Sequence, residues 1–190
     1  FAGLPLSNVG GDTTDRIYAS REHGVLITTP TTWPTLPVAG LSIFMTGAAP
    51  VNTLRYRLYS GASSTPTLVA TTNTMSQNNF TNASWNPLYF SSNQTLSANS
   101  AYRVVAGTPS GGGVGNDYQQ YTWTIEDNAD SKALMPFGSL KKTYTTDGTN
   151  FTDTDTQFPN FALLLDTAGG LTGSSSGVRT LLGLDGGLRG

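Results

Sequence analysis

His23 is the one imidazole of the chain, so a Ser–His–Asp triad or a nitrogen-ligated metal would have to use it. It stands beside Glu22, just ahead of the apolar run Gly24–Thr28, and nothing next to it supplies a matching nucleophile. It reads as a structural residue. Paired carboxylates are the other route to chemistry. Glu126, Asp127 and Asp130 form one group, and Asp147, Asp153 and Asp155 a second. Both groups lie in Asn-, Thr- and Gly-rich segments, where open loops hydrate carboxylates and keep them ordinary acids, the reverse of a tuned general acid. Asp147, Asp153 and Asp155, with Asn150 nearby, also offer hard oxygen donors suited to calcium, although the EF-hand spacing is absent. Gly111–Gly113 and Gly115 lack the Lys-Ser/Thr of a phosphate-binding loop. Among the aromatics, Trp33, Trp85 and Tyr118 are candidates for stacking on sugar rings, whereas Trp123 sits at strand spacing and is expected in a core. No cofactor and no enzymatic activity are expected.

Composition narrows the partners. The 190 residues contain 10 Lys and Arg against 12 Asp and Glu, a net charge of -2. The basic residues are scattered, with Lys141-Lys142 the only adjacent pair, so the cationic face that displaces counterions from nucleic acid is not foreseen. Charged residues make up 12%, about half the usual share, and Thr, Ser, Asn and Gly fill the gap. There are no cysteines, which excludes disulfide staples and thiolate chemistry. No apolar run approaches the ~18 residues that cross a bilayer as a helix, so no membrane partner is expected.

The elements that must position these residues read as strands. Leu54–Gly61 and Ser97–Ala106 read as stretches that alternate apolar and polar side chains with period two, which predicts strands with one face in a core and one in water. Gly24–Thr28, Leu41–Met45, Leu68–Thr71, Leu88–Phe90 and Tyr118–Ile125 are further strands, with Lys132–Phe137 and Leu140–Thr145 weaker ones. Pro34 and Pro37 keep Trp33–Pro37 out of a central sheet, and Pro87 interrupts the strand near Trp85. Thr72–Asn82 is a polar loop, and Gly107–Asn116 a glycine-rich hairpin tip. The near-continuous apolar run Phe161–Leu165 predicts a strand buried on both faces. The expected core is Leu26, Ile43, Leu54, Tyr56, Leu58, Tyr102, Val104, Trp123 and Phe161–Leu165. This describes an all-β antiparallel sandwich of jelly-roll type over residues 21–167. Residues 1–20 read as an irregular N-terminal arm and 168–190 as a Gly-rich C-terminal docking segment. Phe1, Leu4 and Leu6 in the first, and Leu181, Leu182, Leu184 and Leu188 in the second, are the expected assembly contacts, because glycines among those leucines prevent a self-supporting helix.

Several runs together resemble a family. Glu22-His23-Gly24-Val25 with Thr29-Pro30, then Leu54–Tyr59, Pro66-Thr67-Leu68-Val69-Ala70 and Leu96–Val105 resemble the jelly-roll β-sandwich modules of bacteriophage virion and tail-fibre structural proteins. Asp153–Asp166 and the closing Gly-Gly-Leu-Arg-Gly are similar to the ends of phage structural proteins. The similarity spans roughly residues 20–166, and its motifs are structural. Asn99 departs from it, standing where the pattern has Gly, although Asn tolerates the left-handed backbone needed there. The resemblance implies a non-enzymatic structural protein of a phage particle (capsid decoration, head or tail fibre, or adaptor), located in the virion, with itself and other virion proteins as partners. The alternative is an extracellular carbohydrate-binding module of a tail fibre or secreted bacterial protein, with a glycan as ligand.

Overall fold

The computed structural model describes residues 2–3, 13–18, 21–32, 35–47, 53–108, 118–124, 139–154, 157–159 and 161–166. The described elements are all strands apart from one 3-10 turn at Gln77–Asn79. In chain order they are β1 (Ala2–Gly3), β2 (Thr13–Ile17), β3 (Glu22–Thr28), β4 (Leu36–Gly47), β5 (Arg55–Ser60), β6 (Thr67–Thr71), β7 (Ser84–Leu96), β8 (Ala101–Gly107), β9 (Tyr118–Thr124), β10 (Ser139–Thr145), β11 (Phe151–Thr154), β12 (Gln157–Pro159) and β13 (Phe161–Leu165). They form two antiparallel sheets. The six-stranded sheet runs β11-β10-β3-β8-β5-β6. The seven-stranded sheet runs β1-β13-β4-β9-β12, with β7 also on β4 and β2 on β9. Their inner faces share one core. Val25, Ile27, Tyr56, Leu58, Tyr102 and Val104 of the first sheet meet Leu41, Ile43, Met45, Leu88, Phe161 and Leu163 of the second. The Tyr56 hydroxyl crosses the interface and donates to the Asn86 carbonyl at 2.7 Å.

The period-two reading of β5 and β8 holds on the inner face: Tyr56, Leu58, Tyr102 and Val104 are all buried. Phe161–Leu164 are buried too, as the unbroken apolar run predicts. Leu26 is buried but lies outside the shared core, and the Trp123 side chain is outside the described residues. The expectation of water on the other face is overturned for β8, where Arg103 and Val105 are as buried as the core, and only in part for β5, where Tyr59 is buried and Arg55 and Arg57 are half-buried. Proline proves less restrictive than its missing N–H suggests. β4, hydrogen-bonded on both sides, starts at Leu36-Pro37, with Pro37 opposite Thr95. Pro37 sits at the very start of the strand, and its carbonyl still accepts from Asp166 N–H at 3.0 Å. β7 runs through Pro87, which is tolerated because, among the described residues, β4 is the one strand that pairs with β7. Thr13–Ile17, expected in an irregular arm, pairs instead with Tyr118–Thr122.

Two of the motifs that carried the resemblance touch. Leu96–Tyr102 forms the corner from β7 to β8, where Ser97 N–H donates to the Tyr102 hydroxyl at 2.9 Å. A tyrosine bonded back to backbone a few residues upstream is the tyrosine corner of β-sandwiches. Thr29 closes the same corner from β3. Its hydroxyl reaches the Ser97 carbonyl at 2.7 Å and accepts from Ser100 N–H at 2.9 Å. Asn99 adopts φ 48°, the left-handed conformation its position requires, and its N–H reaches the Pro30 carbonyl.

Candidate functional site

Lys142 lies with Val25 on the inner side of the six-stranded sheet, but the other buried charges described, Glu22 and Arg103, lie on its outer face. Alternation puts Glu22, Gly24 and Leu26 of β3 there, beside Arg103, Val105 and Gly107 of β8 and Arg55, Arg57 and Tyr59 of β5. An antiparallel sheet would ordinarily show this face to water. Here the Gly61–Thr65 turn and β11 close over part of it. Phe151 of β11 packs edge-on against Tyr59, with ring centroids 5.1 Å apart, and joins Val105 in a second small core. Its N–H donates to the Ser64 carbonyl at 2.8 Å.

Arg103 lies beneath this cover and is 0% exposed. Its guanidinium donates to Thr143 Oγ1 (3.2 Å), the Gly61 carbonyl (2.6 Å), the Ala62 carbonyl (3.1 Å) and Asp153 Oδ2 (2.7 Å). It also stands 5.6 Å from the Phe151 ring centre. A buried guanidinium is tolerable only when paired and hydrogen-bonded, and all three of its nitrogens are occupied. A second ion pair joins Glu22 to Arg57, whose other amino group donates to the Tyr59 hydroxyl at 2.9 Å. Glu22 lies across Gly107, where any Cβ would strike its carboxylate. Gly24 is needed for a related reason: a Cβ there would collide with the Val104 carbonyl oxygen.

His23 is within β3, not before it, and is 2% exposed. Its ring stacks on Tyr144 with centroids 5.6 Å apart, and its Nε2 accepts from Arg21 Nε at 3.1 Å. An imidazole nitrogen already facing a guanidinium donor has no lone pair to offer as a base.

Two of the acids foreseen as calcium ligands, Asp147 and Asp153, have partners within the chain. Asp153 pairs with Arg103. Asp147 closes the loop from β10 to β11, accepting from Thr149 and Asn150 N–H, the Asn150 side-chain amide and the Thr145 hydroxyl. These bonds, led by the Asn150 amide, hold its carboxyl well below its ordinary value of 3.8. The loop therefore keeps this support above the ordinary value and loses it only as pH falls through the depressed one. Asp155 lies outside the described residues, and no three metal-binding side chains meet among the described residues.

Of the proposed sugar-stacking aromatics, Trp85 is half-buried on the outer face of β7, edge-on to Phe44 at 5.8 Å. Tyr118 opens β9, paired with Gly47 and Ile17; its side chain is outside the described residues, as is all of Trp33. So are Phe1, Leu4, Leu6, Leu181, Leu182, Leu184 and Leu188. Sequence reasoning missed Tyr89, which is 53% exposed on the same side of β7 as Trp85, and Leu68 and Val69 of β6. Carrying the alternation of Asn86, Leu88 and Phe90 through Pro87 would have turned Tyr89 outward. Comparison of the chain with protein-family models, curated proteins and solved structures finds no match.

Proposed function

We propose that the chain is a non-enzymatic structural and assembly protein of a bacteriophage particle, a sandwich of jelly-roll type that works by binding copies of itself and other virion proteins. The observation that carries this reading is where the ionisable groups lie. Arg103, Asp153, Glu22 and Arg57 join strands and loops to one another, and His23 is stacked beneath Tyr144. The motifs that resemble those of phage modules are compatible with it, since Thr29-Pro30 and Leu96–Tyr102 build one corner. Such a role places the interaction chemistry in apolar contacts, as the leucines among glycines at 181–188 suggest. Removing residues 171–190 is expected to leave the sandwich folded and to weaken assembly, read as the mass distribution of the truncated and full chains in sedimentation velocity. Unchanged assembly would remove the tail from the account.

One observation favours a second reading, a carbohydrate-binding module. Trp85, Pro87 and Tyr89 follow one another along the outer face of β7, with Pro87 and Tyr89 exposed. A glycan ligand would stack on Tyr89, and Tyr89→Ala would abolish glycan-array binding. An array with no hits for the unaltered chain would dismiss this reading.

A further inference from the structure

We infer that β6 is a self-association edge, at which the six-stranded sheet of one copy pairs antiparallel with β6 of a second copy about a two-fold axis through Val69. This rests on the assembly reading and names its partner. β6 ends the sheet, and β5 is the only strand that pairs with it among the described residues. An edge strand presents a row of backbone donors and acceptors that another strand satisfies. Charges, above all lysine, ordinarily guard such an edge. Here no Asp, Glu, Lys or Arg occurs between Arg57 and Arg103, a stretch that contains all of β6 and β7. The opposite edge of the same sheet is different: the Phe151 N–H of β11 is already bonded to the Ser64 carbonyl at 2.8 Å, so that edge is partly closed.

The register selects a second copy over an unrelated strand. β5 and β6 shift register so that Leu58 faces Ala70 and Tyr59 faces Leu68, leaving Val69 as the extra, bulged residue. Leu68 and Val69 are consequently both turned to solvent, 48% and 44% exposed. A bulge bends the edge and discourages a straight partner. A second β6 carries the same bend, and a two-fold axis at the bulge matches one to the other. The sequence Thr67-Leu68-Val69-Ala70-Thr71 is nearly symmetric about Val69. Antiparallel pairing then sets Thr67 against Thr71, Leu68 against Ala70, and Val69 against itself. Such a contact is small beside a stable interface of ~1,200–2,000 Å². It is a weak contact that repetition within a particle reinforces.

The test uses the self-facing position. Val69→Lys and Val69→Glu, made singly in the full chain, place like charges across the axis, and each is expected to weaken self-association at least about tenfold in sedimentation velocity. An equimolar mixture of the two is expected to restore it, because Lys then faces Glu. Val69→Cys introduces the only thiol of the chain. Directly opposed antiparallel residues have Cα atoms about 4.5–5.5 Å apart, within disulfide range, so mild oxidation should yield a covalent dimer that a Thr95→Cys control does not. If both charged variants associate as the unaltered chain does, or oxidation of Val69→Cys gives no more dimer than the control, the β6 edge is not the contact. Assembly through another surface would then still stand. A full chain that stays monomeric at every concentration would overturn both.

Discussion

Arg103→Ala is expected to destabilise the chain by about 3–5 kcal/mol, the range for breaking one side of a buried ion pair. The loss exceeds that of one salt bridge because four acceptors depend on this guanidinium: Thr143 Oγ1, the Gly61 and Ala62 carbonyls and Asp153 Oδ2. Alanine leaves them without their donor and removes the stem that fills the space beneath Phe151. Arg103→Met keeps much of that stem and is expected to recover part of the loss when paired with Asp153→Asn, which removes the stranded charge. Urea denaturation of the three variants measures this. A loss below about 1 kcal/mol for Arg103→Ala would mean that the cover over the outer face contributes little to folding.

Leu58→Ala is expected to cost about 2–5 kcal/mol. Leu58 is 0% exposed, faces Val104 on β8 and Ala70 on β6, and belongs to the core shared by both sheets. Such a position collapses little around a cavity, because strands on both sides fix its backbone. The same denaturation experiment checks it, and a loss under about 1 kcal/mol would contradict the register that turns Leu58 inward.

The sandwich was legible where one physical rule acted alone. Tyr56 and Leu58 flank Arg57, Tyr102 and Val104 flank Arg103, and burial of one face explains them. The same rule sends Arg103 and Arg57 to solvent, since alternation tells which side a residue is on but not what covers that side. The cover comes from Phe151 and Asp153, about fifty residues further along the chain from Arg103, and their contacts form only when β11 is in place. Pro87 misled for a similar reason: a proline ends a central strand but not an edge strand, and edge position belongs to the whole sheet. The candidate site was less legible than the fold. Asp147 and Asp153 look alike in sequence, yet one closes a loop and the other neutralises a buried arginine. Asn99 was readable because the left-handed demand of a turn is local.

The proposed role as an assembly protein meets its most direct test in the mass of the intact chain in solution, measured by sedimentation velocity from low to high micromolar concentration. The account predicts a defined, concentration-dependent oligomer well above the 20.0 kDa of one chain. A single species of one-chain mass at every concentration, alone and with its candidate particle partners, would contradict it.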